Sequence, residues 1–181
     1  MKATGIVRRI DELGRVVIPK EIRRTLRIRE GDPLEIFTDR KGEIILKKYS
    51  PIGELSTFAG QYAEALSQTT GHVVCIVDKD QIIAASGGGR KDILNQPISP
   101  KLEETIEERS LVVADKHSKD YRAVTPHLDE YQQEVIAPII CQGDAIGAVA
   151  ILAKEKTEAF TEVEPKLAAA AANFLGKQME Q

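Results

Sequence analysis

Aromatic residues are scarce in this 181-residue sequence: they make up 4% of it, and tryptophan is absent. Proteins that bind single-stranded nucleic acid stack the bases on aromatic side chains, so this composition argues against that function. No apolar run approaches the roughly 20 residues that a membrane-spanning helix needs, and the sequence begins on patterned segments rather than on a signal peptide. We therefore expect a cytoplasmic protein that does not bind membranes.

Cysteines and catalytic motifs are equally scarce. The two cysteines, Cys75 and Cys141, lie in apolar runs typical of buried strands, so we expect reduced thiols and exclude a disulfide framework. The phosphate-binding glycine loop, the zincin motif and the nucleophile elbow are missing. The histidines His72, His117 and His127 fit no metal-ligand spacing. We expect neither an enzyme nor a metalloprotein, and no known cofactor.

Charge is divided unequally along the chain. Residues 1–49 contain 13 Lys and Arg against 8 Asp and Glu, a net charge of +5, which leaves 12 against 20, a net charge of −8, in residues 50–181. The first 29 residues carry nine bases, seven of them arginine, whose planar guanidinium suits phosphates and guanine edges. A solvated basic face without a partner is the simpler alternative. We favour a surface that binds double-stranded DNA.

Short strands dominate the basic part of the chain. β-branched runs at residues 5–10 and 15–18 flank a turn at residues 11–14, which predicts a hairpin-like pair of strands. Residues 34–38 and 43–47 predict a second hairpin, because a turn that ends in glycine joins them. The N-terminal domain is therefore expected to be mainly β.

One helical turn separates the two predicted hairpins. Pro19 suits the first position of a helix, and Ile22 and Leu26 lie one turn apart, so they can form an apolar face. A domain of residues 1–50 has too little interior to be stable alone, since it has neither a disulfide nor a metal. We expect two copies to exchange hairpins and form a β-barrel-like dimer.

The acidic part of the chain, residues 54–181, predicts a second domain. Its expected elements, in chain order, are a helix at 54–70, strands at 72–77 and 82–85, a helix at 100–109, a strand at 111–113, a long loop at 115–130, strands at 135–140 and 145–153, and a helix at 161–178. Thr161 and Glu164 have the spacing of a capping box. The pattern indicates an α+β domain, an antiparallel sheet with helices on one side.

Two further hypotheses concern this second domain. The helices at 54–70 and 161–178, with the alanine run Ala168–Ala172, could form a second interface and join dimers into a tetramer. The connection Ser86–Gly89 and the loop at 115–130 could cover a pocket for a small-molecule effector, although three consecutive glycines are more often a flexible connection.

The sequence GIVRRIDELGRVVIPKEIRRTL at residues 5–26, followed by EGDPLEI at residues 30–36, resembles the AbrB family of bacterial regulators. The resemblance implies a swapped-hairpin dimer that binds DNA in the cytoplasm, on the bacterial nucleoid. The residues that match the DNA-contacting arginines of the family are Arg8, Arg15, Arg23 and Arg24, and we add Arg9 because of its charge. The second domain resembles a GAF domain. The whole layout is similar to that of a transcriptional regulator of sporulation genes, and it leaves activation and repression equally open.

Two alternatives use the same residues differently. An antitoxin-like swapped-hairpin protein would bind a partner protein through its second half, but such antitoxins usually have a disordered tail, and this half is patterned. A thiol enzyme on a GAF-like scaffold would use Cys75 or Cys141, and it would need an exposed cysteine with a lowered pKa. Both cysteines lie in apolar runs, which argues against such a nucleophile.

Overall fold

Two units make up the chain, one ending at Tyr49 and the other beginning at Ser50. We refer to them as the head and the second unit. The structure is a computed structural model, and it describes residues 4–126, 130–154 and 160–180. Part of the predicted loop at 115–130 lies outside the described residues, namely residues 127–129, which include His127.

The head contains one short helix and one two-stranded antiparallel sheet. Helix α1 (Lys20–Thr25) follows Pro19, and strands β1 (Leu34–Thr38) and β2 (Ile44–Lys48) pair along their whole length. The turn between the strands forms because the carboxylate of Asp39 accepts hydrogen bonds from the backbone N–H groups of the chain beyond it, at 2.8 and 2.9 Å. The second predicted hairpin is therefore confirmed.

The first predicted hairpin is only partly formed in the single chain. Its turn is present, since the Asp11 N–H donates to the carbonyl oxygen of Arg15 at 3.0 Å, but residues 5–10 and 15–18 are not strands. A strand needs a hydrogen-bonded neighbouring strand, and within the described residues of the head neither segment pairs with one. The apolar side chains on both arms are exposed: Ile6, Val7, Ile10, Val16 and Val17.

The predicted apolar face of α1 is also open in the single chain. Leu26 is 57% exposed and Ile22 is half-buried. One copy of the head therefore leaves this face partly uncovered, because this short unit supplies too few apolar neighbours to cover it.

The second unit is a five-stranded antiparallel sheet with helices. Its elements are α2 (Pro51–Glu54), α3 (Ser56–Thr70), β3 (Val73–Val77), β4 (Ile82–Ser86), α4 (Arg90–Ile93), α5 (Pro100–Glu108), β5 (Val112–Asp115), β6 (Gln133–Cys141), β7 (Asp144–Ala153) and α6 (Val163–Gln178). The strand order is β4-β3-β7-β6-β5. Every predicted helix and strand of this unit is present, and the chain from β5 to β6 has no regular element among its described residues.

Helices cover both faces of this sheet, so the expectation of helices on one side is wrong. Val74 and Ile76 of β3 pack with α3 and α6, whereas Val73, Cys75 and Val77 pack with the residues of α5 on the opposite face. The physical reason is that β3 is apolar and buried at every position, and such a strand needs apolar partners on both sides.

The contact expected between Thr161 and Glu164 is present at the start of α6, whose N-cap is Glu162, and three alanines of the α6 run are buried. The Thr161 N–H donates to the carboxylate of Glu164 at 2.7 Å, and the Val163 N–H donates to the Thr161 hydroxyl at 3.1 Å. The buried alanines of the run belong to the core between α6 and the sheet. Small side chains there let α6 lie close to β6, so the buried members of the run serve helix–sheet packing.

Substitutions at two helical glycines test the close packing of α6 against the sheet. A Cβ added to Gly176 would collide with the carbonyl oxygen of Ile140, whereas a Cβ on Gly60 of α3 would meet nothing within 4 Å. We expect Gly176→Ala to destabilise the second unit by about 2 kcal/mol or more, because the helix must move off the sheet. Gly60→Ala should stabilise it by about 0.5–1 kcal/mol, because alanine favours the helix. Thermal unfolding measures both, and equal midpoints would contradict the packing.

Candidate nucleic-acid interface

The arginines that the sequence singles out all lie in the head, on two of its segments. Arg8 and Arg9 precede the first turn and Arg15 follows it, and all three are exposed. Arg23 and Arg24 lie in the last turn of α1, where Arg24 is exposed and Arg23 is half-buried. Within the described head, no hydrogen bond or ion pair joins the arginines near the turn to those on α1. The two groups therefore lie in the same unit but do not contact each other through such bonds.

Asp11 fixes the position of Arg15 at the first turn. Its carboxylate accepts from the backbone N–H of Arg15 at 2.8 Å and from the Nε of the same residue at 2.8 Å. Both bonds hold the pKa of Asp11 below its usual value, and the bond from the backbone N–H has the larger effect. The carboxylate therefore stays ionised. The arginine is therefore held beside the turn and presented to solvent. Sequence reasoning treated Asp11 only as a turn residue.

The C-terminal end of α1 is tied to the β1–β2 hairpin. The Nζ of Lys48, at the end of β2, donates to the carbonyl oxygen of Arg27 at 2.8 Å. The same ammonium lies 3.6 Å from the carboxylate of Asp32, which also accepts from the Arg29 N–H at 2.8 Å. These bonds connect the segment that directly follows α1, the helix that carries Arg24, to the end of β2. No sequence motif indicated them, because Lys48 and Arg27 are far apart along the chain.

The two thiols of the second unit are unlike those of thiol enzymes. Cys75 is buried, and burial raises its pKa to about 12. Cys141 is partly exposed, and its pKa is also raised, first by desolvation and then by the carboxylates of Glu180 and Asp144. A catalytic thiol requires the opposite shift, because the thiolate is the nucleophile.

A buried carboxylate that the sequence did not reveal fastens the segment after β5. Glu134 of β6 is fully buried, and it accepts a hydrogen bond from the backbone N–H of Arg122. Burial raises the pKa of Glu134 to about 7, against the opposing effects of that N–H and of the Arg122 guanidinium. The contact holds the segment to the sheet and gives no indication of catalysis.

Two of the three histidines, His72 and His117, lie among the described residues. His72 is buried, with its ring edge on the Phe160 ring at 5.1 Å between centroids, and His117 is exposed. Among the residues that the structure describes, no group of three His, Cys, Asp or Glu side chains could hold a metal ion. In the same described residues, no helix has the length and apolar character needed to cross a membrane.

Comparison with known proteins first defines the class. Residues 7–54 match the family described as "Antidote-toxin recognition MazE, bacterial antitoxin". A stretch of 51 residues is 69% identical to the transition state regulatory protein AbrB of Bacillus subtilis (strain 168), covering 28% of this chain and 52% of that protein. The head is therefore AbrB-like.

Solved structures define the fold of the second unit. A GAF domain from an Acinetobacter phosphoenolpyruvate-protein phosphotransferase has a TM-score of 0.54 at 14% identity, covering 74% of this chain and 84% of that one. A free methionine-R-sulfoxide reductase from Neisseria meningitidis has a TM-score of 0.55 at 17% identity, covering 71% and 79%. At these identities the likeness shows the fold alone. The chain thus combines an AbrB-like head with a GAF-like unit.

The particular family follows from two further matches. Residues 54–180 match the family described as "Stage V sporulation protein T C-terminal, transcription factor". The whole chain is 57% identical over 181 residues to stage V sporulation protein T of Bacillus subtilis (strain 168), covering 100% of both. The chain belongs to the stage V sporulation protein T family. This match along the full length favours neither the antitoxin alternative nor the thiol enzyme.

Proposed function

We propose that the head binds double-stranded DNA as a swapped-hairpin dimer, and that the guanidinium groups of Arg8, Arg9, Arg15, Arg23 and Arg24 contact the DNA. The observation that carries the proposal is that four of these five arginines are exposed, with Arg23 half-buried, in a head whose apolar segments at 5–10 and 15–18 have no pairing strand among the described residues. A second copy that covers the apolar segments would double the number of arginines on one surface. The dimer would then match the two-fold symmetry of duplex DNA.

Fluorescence anisotropy with the full chain tests this proposal. We expect tight binding to a labelled duplex from a sporulation promoter, weaker binding to an unrelated duplex, and little binding to a single strand of the same length, because the chain has few aromatic side chains for stacking. Equal binding to all three would indicate attraction to any polyanion. A copurifying small protein that occupied the chain in place of DNA would instead support the antitoxin alternative.

We propose that the chain has a DNA-binding domain of residues 1–50 and a C-terminal domain of residues 54–181, and that the C-terminal domain joins head dimers into a tetramer. Three aromatic rings on the outer side of α3 and α6 support this: Phe58, Tyr62 and Phe174 contact one another with centroids 5.5 to 6.3 Å apart. Phe174 is 40% exposed, and the other two are half-buried. A partly exposed aromatic patch is typical of a protein interface. We place the assembled regulator in the cytoplasm, on the nucleoid.

We infer that the second unit has no catalytic role, since both thiols have raised pKa values. With a pKa of about 12, the thiolate fraction of Cys75 at pH 8 is about one part in ten thousand. We expect a thiol reagent to label Cys75 only after unfolding and Cys141 more slowly than free glutathione. Cys75→Ser and Cys141→Ser variants assign the two rates, and rapid labelling of either thiol in the folded protein would revive the enzyme hypothesis.

A further inference from the structure

The connection between β4 and α4 has an unusual backbone that the DNA-binding proposal does not use. Gly87 and Gly89 have φ angles of +102° and +88°, which disfavour other residues. A Cβ on Gly87 would also lie 2.9 Å from the Cα of Val73. The chain thus keeps an exposed glycine loop pressed against the start of β3.

The backbone N–H groups of this loop are available to a ligand. In the part of the chain that the structure describes, the N–H groups of Gly87, Gly88 and Gly89 donate no hydrogen bond. The loop is nevertheless anchored, because the Asp92 N–H donates to the carbonyl oxygen of Gly89 at 3.1 Å. Successive free N–H groups in a loop with positive φ angles form a concave, positively polarised surface that suits an anion.

Tyr131 supplies independent evidence for a ligand at this loop. The residue is 3% exposed, and its hydroxyl is buried without a hydrogen-bond partner among the described residues. A Cβ on Gly89 would stand 4.0 Å from this hydroxyl, so the group lies beside the glycine loop. A buried hydroxyl without a partner is unusual and costly, which indicates a missing acceptor or donor.

The Tyr131 hydroxyl is suited to donate to an anion. Burial, followed by the nearby Cys75 and the carboxylate of Glu130, raises its pKa above the usual value for tyrosine. The group therefore remains protonated throughout the physiological range. A bound anion would accept its hydrogen bond and satisfy it.

The ammonium group of Lys154 also lies beside the glycine loop. Its Nζ lies 3.4 Å from the position of a Cβ on Gly89 and 5.7 Å from the centre of the Tyr131 ring. The ammonium is paired with the carboxylate of Glu130 at 2.8 Å, and both side chains are substantially exposed. An exposed pair of this kind contributes little, so a carboxylate from outside can replace that of Glu130.

We propose that the glycine loop, the Tyr131 hydroxyl and the Lys154 ammonium bind the carboxylate group of a small metabolite. Asp92 and Glu130 lie close to the site, and their negative charge disfavours a dianion, which makes a carboxylate a better fit than a phosphate. Carboxylate binding would give the second unit a sensory role in addition to assembly. The inference is independent of DNA binding by the head.

Selective labelling of glycine with ¹⁵N tests the site in the full chain. The chain has 13 glycines, so the amide resonances outside the loop serve as internal controls, and Gly88→Ala helps to assign the loop because that position has open space. Sodium acetate is the probe, with sodium chloride and sodium phosphate at equal ionic strength as the other arms. We expect acetate to shift the resonances of Gly87, Gly88 and Gly89 most.

Four variants decide whether the proposed side chains are responsible. Tyr131→Phe and Lys154→Gln should each weaken acetate binding about tenfold, because each removes a hydrogen bond to a charged group. Tyr49→Phe and Lys166→Gln make the same chemical changes elsewhere in the chain and should leave acetate binding unchanged. The absence of loop shifts with acetate, larger shifts with phosphate, or equal binding by all four variants would overturn the proposal.

Discussion

Replacement of both Arg23 and Arg24 by alanine should lower the affinity of the full chain for duplex DNA by about 100-fold or more. A dimer loses four guanidinium groups in this variant, and each hydrogen bond to a charged phosphate contributes about 1.5–3 kcal/mol before non-additivity is considered. Fluorescence anisotropy measures the loss, and sedimentation should show an unchanged oligomer. Dissociation of the oligomer would instead mean that the two arginines are structural.

The matched control removes the same charge from another part of the head. Arg40 and Lys41 lie in the turn between β1 and β2, and both are exposed. If α1 presents the DNA-contacting surface, Arg40→Ala with Lys41→Ala should lower affinity by much less than the α1 variant. Equal losses would contradict a localised interface and would indicate that net positive charge alone attracts the DNA.

Placing aspartate at Val7 and Val17 should break the head dimer. Both side chains are exposed in the single chain, at 85% and 70%, so an isolated head loses no contact. In a swapped dimer they would be buried, where each valine contributes about 1.5–3 kcal/mol, so the dissociation constant should rise at least about 100-fold. Analytical ultracentrifugation should then find dimers, joined through the second unit, in place of tetramers.

A substitution at the other proposed interface completes this comparison. Phe174→Asp should also convert tetramers into dimers, but these dimers should retain the head contact and bind a single DNA site. The Val7 and Val17 variant should bind DNA far more weakly, because each of its heads is alone. Tetramers that persist in both variants would contradict the assignment of the two interfaces.

The sequence predicted the elements whose signals are local. Strands β1 and β2 were predictable because strand-like apolar segments flank a turn closed by Asp39. The strands expected at residues 5–10 and 15–18 are absent from the single chain, because their formation depends on a neighbour that one copy does not supply. The second helix layer could have been predicted, since β3 is apolar at every position and so requires cover on both faces.

The sequence also predicted only part of the candidate site. The arginines were found from charge and from the family resemblance, and the structure leaves most of them exposed. Asp11 could have been connected to Arg15 from its position four residues earlier beside a glycine turn. The contacts of Lys48 with Arg27 and of Glu134 with Arg122 join residues distant in sequence, so no local pattern could reveal them.

The salt dependence of DNA binding tests the central claim most directly. For the full chain and for the Arg23→Ala, Arg24→Ala variant, the association constant for one duplex is measured across a salt series. Each phosphate contact gives a slope of about −0.9 in log affinity against log salt, so the wild-type slope should be steep and the variant slope shallower by about 3 to 4. A shallow wild-type slope, or equal slopes for both proteins, would contradict DNA binding through the α1 arginines.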